Sequence, residues 1–366
     1  MRKAKHRMKQ EMTMHRIRLL MVGVGPKCIG GMWSVAKSYL DSPKLKEVAD
    51  ITYIPTATMG SILWRVLYMG VGYIRILWQL MVHRPELVHI HMAEKGSVYR
   101  KGIVVKWAKT RGCKVILHMH AGPFMSWYRT KNEKQQRWIN TMLNQADRVL
   151  MLGKYWEDTM EAILPKEKME VLYNGVNVPG ERLYNPEAKD IVYLGVINQD
   201  KGVPELLSAM KLLDDRVDKE YKLYLYGKDL EGNLEKQIEE LGLRDRVIYK
   251  GWINPEQRDK VLRNAMLSVL PSHFEGLSMS VIEAMSYGVP VVTTNISTMP
   301  ELLGDEISLV EVNNPQMLAD EIEKYCVDKT LREGCSKALY RRAKDYFDLH
   351  ATADHLAKIW MEMTAQ

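Results

Sequence analysis

Two glutamates, Glu275 and Glu283, stand in the stretch HFEGLSMSVIEAMSYGVPVVTTN (273–295), which is otherwise made largely of small and apolar residues. An acid set among apolar neighbours is costly unless something polar pairs with it. Ser278 is a good helix N-cap. A helix from about Met279 to Tyr287 would leave its first amides, residues 279–281, without internal partners. Such an N-terminus is an anion site. Glu283 lies on the same helix face as Met279, and its side chain leans back toward the N-terminus. There it can accept hydrogen bonds from a neutral polyol such as ribose. Glu275, ahead of the cap, would point to the far side of the anion. Acid, phosphate site, acid is an order that suits a sugar–diphosphate–nucleoside ligand. The plainer alternative is a solvated Glu283 and a Glu275 that only complements the helix dipole.

Those residues need a frame. Short buried strands are predicted at RIRLLMVGV (16–24), ELVHIHM (86–92), CKVILHMH (113–120), DRVLMLG (147–153) and MEVLYNGV (169–176). Helical patterns fall at Trp33–Leu40 and in GSVYRKGIVVKWAKTRG. A second series has strands DIVYLGVI (190–197), YKLYLYG (221–227), RVIYKGWI (246–253), LSVLP (267–271) and VPVVTTN (289–295). Helices alternate with them, at VPELLSAMKLL, LEKQIEELGL, NPEQRDKVLRNA and the stretch of the two glutamates. Strands alternating with helices predict parallel βαβ units and an α/β fold. Two successive doubly wound halves meet near the turn-rich NGVNVPGERLYNPEAKD (174–190).

In such sheets ligands sit beyond the carboxyl ends of the strands. The loop GVGPKCIGG (23–31) is in such a place. Its Gly30 and Gly31 let a ligand or another domain approach the backbone. Cys28 stands where the dinucleotide fingerprint needs its third glycine, which argues against a nicotinamide cofactor.

PSHFEGLSMSVIEAMSYGVPVVTTN resembles the donor-site signature of the retaining, GT-B-fold glycosyltransferases of family 4. GVINQDKG (195–202) resembles the family's glycine–arginine…lysine–glycine loop, and YNGV (173–176) its Asn-Gly-Val turn. The last helix, ending in KIWMEM, resembles the segment that crosses back to the first domain. The resemblance covers most of the chain and is strongest over 169–303. It implies two Rossmann-like domains facing a cleft. The expected division is a basic tail (1–15), an acceptor-binding domain (16–180), a nucleotide-sugar-binding domain (181–345) and a helix (346–366) packing back on the first domain.

The resemblance also implies roles. Glu283 would bind the ribose, Glu275 the donor-sugar hydroxyls, and Lys201 the diphosphate. Gly276, Leu277, Ser278, Met279 and Ser280 would line phosphate and sugar, chiefly with amides. Ile253 lies where the base-contacting loop runs. His120, in HMHAGPF (118–124), matches the histidine near donor sugar and acceptor, so Glu275, His120 and Lys201 form the implied catalytic set; His118 is expected to face the sheet, and His89 and His91 are weaker candidates. The family's usual arginine after the glycine is here Val196, which removes one of two cations on the diphosphate; Lys228 in YGKD is the candidate replacement. The implied reaction is front-face transfer with retained configuration from a UDP- or GDP-linked sugar, with the leaving phosphate taking the acceptor proton and with no cofactor or metal required. A nucleotide-sugar epimerase of the same fold and a non-catalytic sugar-nucleotide binder are the alternatives.

Charge is divided unevenly. Residues 1–180 hold 29 Lys and Arg against 13 Asp and Glu, and the remainder 23 against 32. The first half therefore favours a polyanion or an anionic surface. No nucleic-acid recognition motif with interleaved aromatics accompanies it. The resemblance to a family many of whose members build polysaccharide or glycolipid implies a lipid-linked acceptor, and the basic half then suits an anionic membrane surface. SILWRVLYMGVGYIRILWQLMV (61–82) has the composition of an interfacial helix, or of one packed on a sheet. Arg65 and Arg75 interrupt it, so no spanning helix is expected. Four cysteines without a CxxC pair predict a reduced, cytosolic chain; the basic half and the implied acceptor then place it peripherally on the inner face of the cytoplasmic membrane. Nothing in the residues fixes an oligomeric state.

Overall fold

The computed structural model describes residues 16–28, 31–120, 122, 124–304 and 308–365. The basic tail (1–15) and Gly30 lie outside the described residues. The chain divides into two units, residues 1–173 with 350–366, and residues 174–349.

The first unit runs β1 (Ile17–Gly23), α1 (Gly31–Asp41), α2 (Pro43–Val48), β2 (Ala49–Pro55), α3 (Ile62–Trp78), β3 (Leu87–Met92), α4 (Gly96–Thr110), β4 (Lys114–Met119), α5 (Phe124–Arg129), α6 (Glu133–Asn144), β5 (Arg148–Met151), α7 (Lys154–Met160) and β6 (Met169–Val171). Its strands pair in parallel in the order β2-β1-β3-β4-β5-β6. Central parallel strands are covered on both faces, so they read as continuous apolar runs. In β3, LVHIHM, every residue is buried, its two histidines included. Edge strand β2 does not stand out in the sequence because it is only half-buried.

The second unit runs β7 (Asp190–Leu194), α8 (Val203–Leu212), β8 (Lys222–Tyr226), α9 (Leu234–Glu240), β9 (Val247–Gly251), α10 (Pro255–Asn264), β10 (Ala265–Leu270), α11 (Met279–Tyr287), β11 (Val291–Thr294), α12 (Met299–Leu303), β12 (Leu309–Val310), α13 (Pro315–Val327) and α14 (Lys329–Tyr346). Its strands are again parallel, in the order β12-β11-β10-β7-β8-β9. The final helix, α15 (Leu349–Thr364), belongs from residue 350 onward to the first unit. Its Trp360 is fully buried there.

Each sheet reverses its winding once, between β1 and β3 in the first and between β7 and β10 in the second. Connections leave in opposite directions at such a point and open a crevice at the strand ends. The loops after β7 and β10 carry Lys201 and Glu275. The predicted strand DIVYLGVI stops at Leu194, and its remainder becomes the first of those loops.

Candidate active site

Gly202 holds the two loops of the second unit together. Its φ is 68°, in the left-handed region, and a Cβ there would lie 1.9 Å from the carbonyl oxygen of Pro271. Only glycine meets both demands. The His273 amide donates to the Asp200 carbonyl at 2.9 Å, and the Asn198 side chain accepts from the Lys201 amide at 3.1 Å. Lys201 Nζ then reaches Glu275 Oε1 at 2.6 Å, and the same oxygen accepts from Ser272 Oγ at 2.8 Å. The side chains of Lys201 and Glu275 are 27% and 11% exposed. The hydroxyls of Ser297 and Thr298 bind the carbonyls of Glu275 and Gly276, which fixes this turn.

Helix α11 begins at Met279, and Ser278 Oγ accepts from the Val281 amide at 3.5 Å. Gly288, φ 78°, ends it. Leu277 and Ser278 are buried, so what they offer outward is backbone. The capped helix leaves the amides of Met279 and Ser280 as the free donors of its first turn.

Glu283 makes an ion pair with Arg258 Nη1 of α10 at 2.9 Å. Burial pushes its carboxyl up to about 7, and Arg258 acts against that. Sequence reasoning did not select Arg258. The signal available was the capping box of Asn254 and Gln257, which sets α10 going. The pairing itself required α10 to pack on α11, where Tyr287 Oη also donates to Asp259.

The remaining predicted donor residues follow neighbouring strands of the same sheet, β7, β8 and β9. Val196 uses its carbonyl to accept from Tyr193 Oη at 2.6 Å. Lys228 follows β8, and its carbonyl accepts from the amide of Ile197, beside Val196. Its ammonium is exposed and has no carboxylate partner among the described residues. Ile253 is half-buried after β9, next to Trp252, which is 73% exposed.

In the first unit the structure gathers four histidines. Residues two apart in a strand share a face, and the β3–β4 register sets His91 opposite His118. His89, His91, His118 and His120 therefore form one block, with Tyr39 of α1 against it at ring distances of 6.0–6.3 Å to the first three. His118 and His120 share a side of the sheet; burial separates them, since His118 is fully buried and His120 is partly exposed. His120 Nε2 lies 2.8 Å from His91 Nδ1. Trp360 Nε1 donates to His89 Nδ1 at 3.2 Å, and His89 Nε2 lies 3.3 Å from His118 Nδ1. With Nδ1 of His89 accepting, its proton sits on Nε2 and is donated to His118. Burial holds His89 and His120 down at about 3, and His91 and His118 well below the ordinary range, so the block is neutral at pH 7.

His91 Nε2, His118 Nε2 and Tyr39 Oη are buried without a hydrogen-bond partner. His89, His91 and His118 offer nitrogens within 4.8 Å of one another. Hydrogen bonds occupy both nitrogens of His89, so a metal there would have to replace one of them. Gly31 opens α1 after the glycine-rich loop.

Two family models match the chain: one described as Glycosyltransferase Family 4 over residues 38–178, the other as Glycosyl transferases group 1 over residues 179–342. The GDP-mannose:cellobiosyl-diphosphopolyprenol alpha-mannosyltransferase of Xanthomonas campestris is 23% identical over 324 residues, 81% of this chain and 83% of that protein. The O-antigen chain mannosyltransferase B of Escherichia coli is 31% identical over 157 residues, a match that spans 42% of this chain and 41% of the relative. Sucrose-phosphate synthase from Thermosynechococcus elongatus shares the fold, with a TM-score of 0.76 at 17% identity over 96% of this chain and 100% of that one.

Proposed function

This chain belongs to glycosyltransferase family 4, and from that premise we propose that it moves a sugar from a nucleoside-diphosphate donor to a hydroxyl of a lipid-linked acceptor, with retention at the anomeric carbon. The carrying observation is the meeting of Lys201 and Glu275, 2.6 Å apart, at the winding reversal of the second sheet and ahead of the α11 N-terminus. An ammonium and a helix N-terminus together favour a diphosphate.

The difficult event in this transfer is charge developing on the departing diphosphate. Lys201 and the amides of Met279 and Ser280 oppose that charge from fixed positions, the arrangement that lowers such a barrier most. The bond from the anomeric carbon to the phosphate oxygen breaks, and the acceptor oxygen bonds to the same carbon on the same face. The acceptor proton passes to the leaving phosphate oxygen. No side chain has to act as nucleophile. Glu275, held by Lys201 and Ser272 until the donor arrives, turns its acceptor oxygens to the sugar hydroxyls. Glu283 accepts from the ribose hydroxyls in its ionised form, which Arg258 favours against the effect of burial. Lys228 stands in for the cation missing at Val196, and Ile253 contacts the base. His120, kept neutral by burial, offers a ring nitrogen to a sugar hydroxyl.

The Xanthomonas relative's name specifies GDP-mannose and a diphosphopolyprenol acceptor. That supports a nucleotide-sugar donor and a lipid-linked acceptor here. The basic first half supports work as a peripheral protein on an anionic membrane, at about 1 kcal/mol per cation near the surface. No helix of the described residues is long and apolar enough to cross a membrane.

The test is thermal stabilisation by a panel of nucleotides and nucleotide sugars, GDP- and UDP-linked, on the wild type and on Glu283→Ala. Stabilisation by one series, lost in the variant, identifies the base and places the donor. Label from that donor should then enter an organic-extractable product from membrane lipid. A folded protein stabilised by no nucleotide would sink the proposal. Release of an isomerised free sugar without acceptor would turn the reading to an epimerase.

A further inference from the structure

Helix α3 turns apolar residues outward. Leu63, Leu67, Val71, Ile74 and Trp78 recur at helical spacing and are 49–80% exposed. Gly72 and Ile76 form the buried side, where a Cβ on Gly72 would lie 2.8 Å from the Pro55 carbonyl oxygen. Single exposed apolar residues need no explanation, but a continuous stripe along one helix does. Residues 51–85 contain no Asp or Glu, while Arg65, Arg75 and Arg84 fall within them. Within its own segment the stripe is thus accompanied by positive charge and no acid.

Beside it a pocket of about 260 Å³ is lined by Thr56, Thr58, Ile62, Arg65, Val66 and Arg100, among others. Two guanidinium groups line one small space, and neither has a carboxylate partner among the described residues. Arg100 Nε is buried without any hydrogen-bond partner. Burial first, and the charge of Arg65 after it, hold Arg100 below its usual range. Behind the wall Lys101, 1% exposed, donates to Gly23 O at 2.9 Å and to Thr56 Oγ1 at 2.7 Å. Two guanidinium cations lining one small space are an unfavourable arrangement that an anion would relieve. Each guanidinium can bind phosphate oxygens in bidentate fashion.

We infer that this pocket binds the diphosphate of a lipid diphosphate, whose hydrocarbon chain continues along the apolar side of α3 at the bilayer surface. This rests on the transferase reading and assigns the acceptor of that reaction to residues. A phospholipid phosphodiester carries one charge and matches one arginine; a diphosphate carries at least two and matches both. The apolar stripe accounts for the chain, which a soluble diphosphate lacks.

The probe is farnesyl diphosphate, with inorganic diphosphate and farnesol as its separated halves, titrated against the full chain. Farnesyl diphosphate should bind more tightly than either half. Arg65→Gln and Arg100→Gln should each weaken it by about 10- to 100-fold, the range of a hydrogen bond to a charged group. Val66→Glu, at an exposed position, should do the same without touching an arginine. Lys201→Ala, in the other unit, should leave this affinity unchanged, and nucleotide binding should survive all three pocket changes. Loss in Lys201→Ala instead would put the probe in the donor site and overturn the assignment. So would equal binding by wild type and the arginine variants. Vesicles separate the sources: neutral phosphatidylcholine doped with the lipid diphosphate should capture the wild type better than phosphatidylglycerol vesicles of equal charge, and the reverse ranking refutes the pocket. Since nucleotide stabilisation is read separately, a failure here leaves the donor reading standing.

Discussion

Glu283 supports the sharpest quantitative test. Burial raises its carboxyl from 4.5 to about 7 in the folded protein, with Arg258 at 2.9 Å limiting the rise. A raised acid contributes stability in full below its unfolded value and loses it as the pH climbs through the folded value. Folding should thus weaken between pH 4.5 and about 7 by at most about 3 kcal/mol from this group. Other groups titrate as well, so the quantity to measure is the difference between wild type and Glu283→Gln, by urea unfolding at several pH values. The wild type should lose about 2–3 kcal/mol relative to the variant on going from acid to alkaline pH. Nucleotide sugar supplies the second reading, because it has no ionisation of its own in that range. If ribose hydroxyls bind the ionised carboxylate, affinity should fall roughly tenfold for each pH unit below 7, and the fall should vanish in Glu283→Gln. A wild-type–variant difference that stays flat within about 0.5 kcal/mol, together with pH-independent affinity, would show that Glu283 is an ordinary ionised acid and refute the reasoning.

Other consequences are checked more simply. Lys201→Ala should lower kcat by about 100- to 1000-fold, the effect of removing one fixed stabiliser of developing charge, while Lys228→Ala should cost clearly more activity than a change at a surface lysine; equality there would remove Lys228 from the site. Gly202→Ala should destabilise the protein by more than 1 kcal/mol, since its Cβ would strike the Pro271 carbonyl, and denaturant unfolding measures this. His91→Asn, whose amide takes the place of Nδ1, should keep folding and the hold on His120 largely intact, whereas His91→Gln, whose amide lies one bond further out, should shift KM and kcat unequally through a reoriented His120; identical effects of the two would deny His91 a positioning role. Ser278→Ala should cost about 1 kcal/mol of stability and weaken nucleotide binding, because α11 loses its cap and frays where the phosphates bind.

Much of this was legible along the chain because its causes are local. Helix α11 spans Met279–Tyr287 with Ser278 as its cap, as its residues imply, since a cap closes hydrogen bonds within three positions. The alternation of βαβ units is likewise written in apolar runs and turn residues, and the family's motifs mark Lys201 and Glu275. Sequence did not show that these two side chains touch. They lie 74 positions apart, and their contact depends on β7 and β10 becoming neighbours and on Gly202 admitting a close approach. Nor did it show Arg258 against Glu283, which needs α10 laid over α11. The histidine block has the same character: each strand shows two histidines, but only parallel pairing of β3 with β4 joins them, and only the return of α15 brings Trp360 to His89. For residues 61–82 the sequence left interfacial and packed helices equally open. Packing set which side docks: Gly72 and Ile76 meet the body, and the apolar stripe is left outside. Periodicity specifies that a helix has an apolar face; which surface that face meets is fixed by every other element competing for the core.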